Sequence, residues 1–307
     1  MRMRPNRLQQ GDTVAVIAPS SPPNLENLKR ALPFLDELGL KVKMGKHVEN
    51  VYGYLAGTDD ERLEDLHDAL RDPEVKGIIC AGGGFGAARY AERIDAELMK
   101  DNPKVLWGYS DITILHTVFG KFADVVTFHG PMLASDVGTD NFQELSRNQF
   151  YQLFEPKELH YTEDIAPLNV YHGGVAEGMI VGGNLSLLVN SLGTEYEIDT
   201  KGKLLFIEDI DEEPYRVDGL LNQLRQAGKL DDAAGIVVGD FAKAEPKKRK
   251  TSLTLDQVLE QYVGRLEKPV VSGFKIGHCE PHFAIPLGVE AKLDADAKTL
   301  TLQPGVQ

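Results

Sequence analysis

Cysteine is scarce in this chain. Its 307 residues include only two, Cys80 and Cys279, and these lie far apart in the sequence. A disulfide-stapled domain needs several closely set cysteines, and neither residue has a partner at the spacing of a zinc site. Reduced thiols in the cytoplasm are therefore the simplest interpretation, and no metal site is expected.

Long apolar runs are also missing. No stretch approaches the roughly 18 consecutive apolar residues of a transmembrane helix. The basic residues 1–7 are followed by the polar stretch Gln9–Asp12 instead of an apolar segment, so a secretory signal is not expected. These features predict a cytoplasmic protein.

Positive charge is in short supply. Lysine and arginine total 33 against 47 aspartate and glutamate residues, so the formal net charge is −14. An acidic surface repels phosphate groups, so neither nucleic acid nor a membrane is expected as a partner. The one basic cluster, residues 243–250, is short. A solvated loop is its first interpretation, and attraction of an anionic ligand is the alternative.

Strand-like and helix-like segments alternate over about the first 130 residues. Strands are predicted at 13–18, 40–44, 77–80, 105–107 and 125–128, and helices at 25–38, 61–70 and 87–94, with a further helix from Asp111. This alternation predicts an α/β domain, in which helices flank both faces of a mostly parallel sheet. Because ligands collect beyond the carboxyl ends of parallel strands, residues that follow these strands are the candidates for a site.

The character of the sequence changes near Tyr151. Residues 156–172 are polar, contain Pro156 and Pro167, and show no period, which predicts a linker. The predicted organisation is therefore an N-terminal domain over 1–155, this linker, and a smaller α/β C-terminal domain over 173–307.

A serine lies where the fourth predicted strand ends. The apolar run Val105–Trp107 stops at Gly108-Tyr109-Ser110, and Asp111 opens the next helical pattern. A serine on a strand-to-helix turn is exposed beside free backbone N–H groups, which places a nucleophile next to an anion site. The match to the hydrolase elbow is partial, because Ile112 replaces the second glycine. A simple helix cap is the competing interpretation.

The glycine run at 82–86 follows the third predicted strand. Its Gly82, Gly84 and Ala87 fit a weak pyrophosphate-binding pattern, which would suit a nucleotide-binding oxidoreductase. The run could instead supply backbone N–H groups to an oxyanion hole, or form a turn without a ligand. Cys80 is a rival nucleophile, but glycines rather than a helix follow it, so it is expected in the core.

A nucleophilic serine needs a base and a group that orients the base. The apolar strand 204–207 ends at Glu208-Asp209, and a turn-rich loop carries His278 and His282. The order Ser, Glu, His occurs in known triads. The chain has eight histidines and 47 acidic residues, however, so this order alone does not identify which residues form a triad.

Several stretches, taken together and in order, resemble the LD-carboxypeptidase family of serine peptidases. This family includes murein tetrapeptide carboxypeptidases and microcin C immunity peptidases. The matching stretches run nearly end to end and are residues 17–21 (IAPSS), 53–62 (GYLAGTDDER), 83–86 (GGFG), 108–111 (GYSD), 127–132 (TFHGPM), 182–186 (GGNLS), 205–209 (LFIED), 214–218 (PYRVD) and 277–278 (GH).

The resemblance implies a hydrolase that uses no metal and no cofactor. It makes Ser110 the nucleophile, His278 the general base and acid, and Glu208 the residue that orients the imidazole. It also implies oxyanion donors at the backbone N–H groups of Asp111 and Gly84. In such a family the first domain carries the serine, the second carries the glutamate and histidine, and the molecule is commonly a homodimer.

Two positions depart from the family pattern. Gly82 stands where an arginine is common, and the region of His282 usually holds an asparagine. Both positions suggest contact with substrate, so His282 is a candidate substrate-binding residue. Arg216 and Arg89 are candidates to hold a substrate carboxylate, because guanidinium groups pair well with carboxylates. Either arginine could equally form a structural ion pair.

The resemblance thus implies a serine carboxypeptidase that releases terminal D-alanine from murein tetrapeptides by cleaving an L,D-peptide bond. A peptidase that detoxifies a microcin C-type peptidyl-nucleotide is the alternative within the family. Against the oxidoreductase, the strand after the glycine run ends in Trp107 and a serine turn, without the acidic residue that would hold a ribose.

Overall fold

The computed structural model describes residues 2–247 and 251–307. Its strands are β1 (Thr13–Ile17), β2 (Lys41–Met44), β3 (Val75–Cys80), β4 (Val105–Trp107), β5 (Thr127–His129), β6 (Leu159–Tyr161), β7 (Asn169–His172), β8 (Val175–Asn184), β9 (Leu204–Ile210), β10 (Gly235–Ala242), β11 (Val270–Ser272), β12 (Ile285–Leu287), β13 (Glu290–Asp294) and β14 (Thr299–Leu302). Its α-helices are α1 (Leu25–Glu37), α2 (Asp59–Arg71), α3 (Glu97–Asp101), α4 (Thr113–Val118), α5 (Glu144–Asn148), α6 (Leu185–Asn190), α7 (Pro214–Gln226), α8 (Lys229–Asp232) and α9 (Leu255–Tyr262). Within these residues, no helix has the length and apolar character that crossing a bilayer requires.

The described chain divides into two compact units. The first unit contains residues 2–157, 280–288 and 304–307, and the second contains residues 158–279 and 289–303. Each unit has its own sheet, so the α/β class and the two-domain organisation predicted from the sequence are confirmed.

The sheet of the first unit is mostly parallel. Its strand order is β12-β5-β4-β3-β1-β2. Strands β1 to β5 run parallel to one another, and β12 pairs antiparallel with β5 at the edge. The inner strands are buried almost throughout, as expected for a sheet covered on both faces. Trp107 anchors this core, with its ring 4.4 Å from that of Phe150 between centroids.

The sheet of the second unit is mixed. Its order is β6-β14-β13-β8-β9-β10-β11-β7, in which β8 to β11 are parallel and the outer pairings are antiparallel. Helices α6, α7 and α9 pack apolar side chains onto the parallel strands. This layer includes Leu185, Leu188, Val217, Leu221, Leu224, Val258 and Leu259.

Two segments differ from their predictions, one in secondary structure and one in the domain to which it belongs. Residues 156–172, predicted to be a linker, contain β6 and β7, which pair with β14 and β11. These strands are too short to show a period in the sequence. Residues 280–288, predicted to belong to the C-terminal domain, return to the first unit because β12 pairs with β5.

Both sheets bring the candidate residues to the carboxyl ends of parallel strands. In the first unit, Ser20, the glycine run and Ser110 follow β1, β3 and β4. In the second unit, Glu208 lies near the end of β9, and the loop with His278 follows β11. These ends are where open α/β sheets bind ligands.

Candidate active site

Ser110 has a strained backbone. Its φ is +64°, in the left-handed region that non-glycine residues rarely adopt. The residue is half-buried and opens a short 3-10 turn, Ser110–Ile112, that leads directly into α4. Strain at a single polar residue between a strand and a helix is typical of a functional site.

The surrounding turn is fixed by buried hydrogen bonds. The carbonyl of Gly108 accepts from Nε2 of His116 at 2.9 Å and from the backbone N–H of Gly130 at 3.4 Å. Burial lowers the pKa of His116 to about 4, so its imidazole is neutral near pH 7. The indole of Trp107 donates to the carbonyl of Pro131 at 2.7 Å. These bonds explain how the fold holds Ser110 in its strained conformation.

Asp111 ties neighbouring loops together beneath the serine. Its buried Oδ2 accepts from the hydroxyl of Ser20 at 2.6 Å and from the backbone N–H of Ala87 at 2.8 Å. Burial raises the pKa of this carboxyl, while the two hydrogen bonds act in the opposite direction. One carboxylate thus joins the segments that follow β1, β3 and β4.

The glycine run lies directly against the serine. A Cβ on Gly83 would come within 2.9 Å of the Ser110 Cβ and 3.1 Å of its Oγ, so a side chain here would displace the hydroxyl. Ser21 fixes the run, because its N–H donates to the carbonyl of Gly83 and its hydroxyl accepts from the N–H of Phe85, both at 3.1 Å. The structure therefore brings the glycine run and Ser110 together, as predicted from their strand ends.

The two predicted oxyanion donors lie in these same segments. Gly84 is exposed with φ +106°, and no hydrogen bond within residues 2–247 and 251–307 engages its backbone N–H. Asp111 is in the first turn of its helical segment, where backbone N–H groups have no partner within the helix. Their role as oxyanion donors remains a prediction.

The segment after the glycine run differs from its prediction. A helix was expected at 87–94, but the chain forms two 3-10 turns, Ala87–Arg89 and Ala91–Arg93. The N–H of Ala87 is bonded to Asp111, and the buried Tyr90 hydroxyl donates to the carbonyl of Pro19 at 2.9 Å. These tertiary bonds attach the two turns to the segments that follow β4 and β1. No α-helix therefore begins at the run to hold a pyrophosphate.

In the second unit, Glu208 and His278 form a buried pair. Oε2 of Glu208 lies 2.7 Å from Nδ1 of His278, and the carboxylate side chain has no exposed surface. A buried carboxylate is stable only if it is paired. This contact fixes the imidazole and places its Nδ1 proton toward Glu208, which leaves Nε2 to exchange protons with a substrate or nucleophile.

A bulge in the sheet brings the histidine loop to Glu208. The register between β9 and β10 shifts between Val238 and Phe241, and there the N–H of Asp240 donates to the carbonyl of Ile276 at 3.0 Å. Gly277 then has φ +121°, and a Cβ on it would lie 2.5 Å from Oε2 of Glu208. Only glycine allows the chain to pass this close to the carboxylate.

Asp209 is a supporting residue that was not predicted from the sequence. Its carboxylate accepts from Nδ2 of Asn184 at 3.0 Å and from the hydroxyl of Ser186 at 2.8 Å, which fixes the turn between β8 and α6. Burial and the neighbouring charge of Glu208 raise its pKa to about 6. The sequence signal for this role is the pair of adjacent acidic residues, Glu208 and Asp209, at the end of an apolar strand.

The candidate carboxylate-binding arginines are both engaged in ion pairs. Arg89 makes two contacts with Asp59, at 2.8 and 3.0 Å, and Arg216 pairs with Glu212 at 3.2 Å. Both guanidinium groups are partly exposed. Both contacts are structural ion pairs, the alternative that the sequence left open.

His282, the third candidate substrate-binding residue, lies in a cluster of buried rings. It belongs to the first unit and is completely buried, with its ring 4.8 Å from Tyr109 and 5.6 Å from His129 between centroids. The pairing of β12 with β5 places this residue in the core, and its role as a substrate-binding residue remains a prediction.

Three further expectations concern side chains outside the candidate site. Cys80 is fully buried, as expected, and burial raises the pKa of its thiol. Of the basic cluster 243–250, residues 248–250 lie outside the described residues, and Lys247 pairs with Asp211. In the part of the chain that is described, no group of three or more His, Cys, Asp or Glu side chains is arranged to hold a metal.

A serine on a strained strand-to-helix turn and a buried glutamate–histidine pair are each features of serine hydrolases. Two family models match the chain: the LD-carboxypeptidase N-terminal domain over residues 14–130 and the LD-carboxypeptidase C-terminal domain over residues 177–293. The chain belongs to the LD-carboxypeptidase family and is a serine-type carboxypeptidase.

Individual relatives agree with this assignment. The chain is 54% identical to the probable murein peptide carboxypeptidase of Bacillus subtilis, covering 100% of this chain and 96% of the relative. It is 31% identical to the murein tetrapeptide carboxypeptidase of Pseudomonas aeruginosa, covering 92% and 93%. The solved structure of MccF in complex with glutamyl sulfamoyl guanosine has a TM-score of 0.89 at 25% identity, covering 98% of each chain.

The left-handed backbone of Ser110 predicts a reversal of the usual alanine–glycine order of stability. Ser110→Gly should be more stable than Ser110→Ala by about 1 kcal/mol, because glycine alone adopts positive φ without strain. Urea denaturation of both variants measures this difference. The control pair is Ser135→Gly and Ser135→Ala, in the helical turn Leu133–Val137, where alanine should be the more stable. If Ser110→Ala is as stable as Ser110→Gly, the backbone at position 110 is not strained.

The close approach of Gly277 predicts that Gly277→Ala separates His278 from Glu208. Carboxypeptidase activity should fall by about a hundredfold, the effect of misplacing a catalytic group by about 1 Å. Gly202→Ala is the matched control, since Gly202 has φ +66° in the same unit but nothing within 4 Å of an added Cβ. Measured kcat/KM should be unchanged in the control. Equal losses in both variants would show that backbone strain, not the Glu208 contact, is responsible.

Proposed function

We propose that the chain releases terminal D-alanine from murein tetrapeptides by hydrolysing the L,D-peptide bond, as a step in cell-wall recycling. The observation that carries this proposal is the 2.7 Å contact between the buried Glu208 and Nδ1 of His278. That contact supplies an oriented base, and the strained Ser110 supplies a nucleophile. The names of the bacterial relatives support murein peptides as substrates.

The proposed reaction has two halves. The Ser110 hydroxyl attacks the scissile carbonyl carbon and gives its proton to Nε2 of His278, while Glu208 stabilises the imidazolium. The N–H groups of Asp111 and Gly84 would meet the negative charge on the carbonyl oxygen. When the C–N bond breaks, His278 returns the proton to the amino group of the departing D-alanine. Water, deprotonated by His278, then cleaves the acyl-serine ester and restores the enzyme.

Similarity to two relatives indicates which substrates of the family to compare. The structural likeness to MccF favours a peptidyl-nucleotide as the second candidate substrate. The 54% identity to a probable murein peptide carboxypeptidase supports the murein peptide first. A homodimer and a cytoplasmic location belong to the same proposal, and gel filtration and cell fractionation measure them.

The proposed function predicts D-alanine release from tetrapeptides that contain L-lysine or diaminopimelate. Ser110→Ala should abolish release, and Glu208→Gln should lower kcat on the order of 10⁴-fold, because the amide no longer orients or stabilises the imidazolium. Amino-acid analysis of timed digests measures the product, with a glutamyl sulfamoyl nucleoside as the competing substrate. Activity should survive EDTA.

Several outcomes would oppose this function. Release that persists in Ser110→Ala would reject the nucleophile, and loss of activity in EDTA would reject a metal-free reaction. Faster cleavage of the nucleotide conjugate than of the tetrapeptide would favour the second candidate.

A further inference from the structure

Two buried cations of the first unit lie at opposite ends of helix α2. Arg62 and Lys104 are each only 1% exposed. The ammonium group of Lys104 donates to the carbonyls of Ala69, at 2.7 Å, and Asp72, at the C-terminal end of the helix. Carbonyls in the last turn of a helix have no partner within the helix, so capping this end accounts for the burial of Lys104. Arg62 lies near the other end and makes different contacts.

The guanidinium of Arg62 joins α2 to two other segments. Its Nη1 donates to the carbonyl of Pro19 at 3.1 Å, and its Nη2 pairs with Asp59. The same group lies over the ring of Tyr90, 5.0 Å from the centroid. The Tyr90 hydroxyl donates to the same Pro19 carbonyl at 2.9 Å. Arg62 therefore connects the start of α2 with the segment after β1 and with the turns that follow the glycine run.

Arg62 also lies directly against the glycine run. Gly86 has φ +132°, and a Cβ on it would lie 2.6 Å from Nη1 of Arg62. The next residue, Ala87, donates its backbone N–H to the carboxylate of Asp111 at 2.8 Å. Two residues before Gly86 is Gly84, the predicted oxyanion donor. The guanidinium thus supports the run between that donor and the bond that attaches the run to the serine turn.

The charge of Arg62 acts on the same carboxylate. Burial raises the pKa of Asp111, whereas the hydrogen bonds from Ser20 and Ala87 and the positive charge of Arg62 lower it. Arg62 therefore favours the ionised carboxylate. An ionised carboxylate accepts stronger hydrogen bonds than a neutral carboxyl group, so the charge also strengthens the bonds that fix the three loops.

Stability alone is a weak explanation for this buried charge. Replacing a buried ion pair with apolar side chains of similar volume is often neutral or stabilising, because the cost of desolvating the charges offsets their attraction. Asp59 also binds Arg89, at 2.8 and 3.0 Å, and the Pro19 carbonyl also accepts from Tyr90. Both groups therefore have partners besides Arg62. Its effects on the glycine run and on the buried acid beside the serine explain its burial better.

We propose that Arg62 is a positioning residue for the serine peptidase reaction, which holds the backbone N–H of Gly84 where negative charge develops on the substrate carbonyl oxygen. It acts through Gly86 and Asp111 and does not itself touch the substrate. This inference rests on the proposed roles of Ser110 and Gly84. Because an oxyanion donor acts mainly in the transition state, loss of Arg62 should lower kcat far more than it raises KM.

The test compares Arg62→Met with Lys104→Met, which removes the buried cation at the other end of the same helix. In Arg62→Met, kcat for D-alanine release from the tetrapeptide should fall about a hundredfold, the effect of misplacing a catalytic group by about 1 Å, with KM changed less than about threefold. In Lys104→Met, both constants should stay within about twofold of wild type, even where urea denaturation shows reduced stability. Equal falls in kcat in both variants, or an unchanged kcat in Arg62→Met, would overturn the proposal.

A conservative variant keeps the proposal testable if Arg62→Met does not fold. Arg62→Lys retains the charge beside Asp111 but loses the planar pair of donors, so its kcat should lie about tenfold below wild type. A wild-type kcat in Arg62→Lys would show that the contacts of the guanidinium do not position the site.

Hydrogen–deuterium exchange separates this inference from the proposed function, because it needs no substrate. Backbone exchange over residues 81–87 should be faster in Arg62→Met than in wild type, and unchanged in Lys104→Met. If wild type releases no D-alanine, the proposed function fails, while the exchange pattern still decides whether Arg62 holds the glycine run. Exchange over these residues that is the same in Arg62→Met and wild type would overturn the positioning role.

Discussion

A carboxylate with no exposed surface must be paired, and in the second unit that requirement is met by one imidazole. Glu208 lies on an inner strand, where burial would make an unpaired charge costly, and its Oε2 contacts Nδ1 of His278 at 2.7 Å. The bulge after Val238 and the absence of a side chain at Gly277 both serve this contact, because together they bring the histidine loop over the strand end. The local fold and the proposed base are thus consequences of the same pairing.

In the first unit, too, a buried carboxylate determines the local structure. Asp111 is also buried, and it is satisfied by the hydroxyl of Ser20 and the N–H of Ala87. Those bonds fix the loops at three strand ends around Ser110 and hold the glycine run against it. The fold tolerates the strained backbone of Ser110 because several hydrogen bonds hold the surrounding turn in place. In both units, a buried acidic group positions the residue expected to carry chemistry.

Much of this arrangement could be predicted from the sequence, and the failures have physical causes. The runs before Ser110 and Glu208 are uninterrupted and apolar, as expected for strands buried on both faces, so their ends could be located. The helix predicted at 87–94 is replaced by two 3-10 turns, which are attached by Ala87 and Tyr90 to Asp111 and Pro19, residues remote in sequence. The return of β12 to the first unit, which buries His282, depends on a three-residue antiparallel pairing that leaves no periodic signal.

The contact between Glu208 and His278 requires that the neutral imidazole carry its proton on Nδ1. Proton and ¹⁵N NMR of the imidazoles measures this directly, with His278→Gln used to assign the resonance among the eight histidines. We expect a far-downfield Nδ1 proton that disappears in both His278→Gln and Glu208→Gln. A His278 that carries its proton on Nε2 when neutral, or a resonance unchanged by Glu208→Gln, would contradict it.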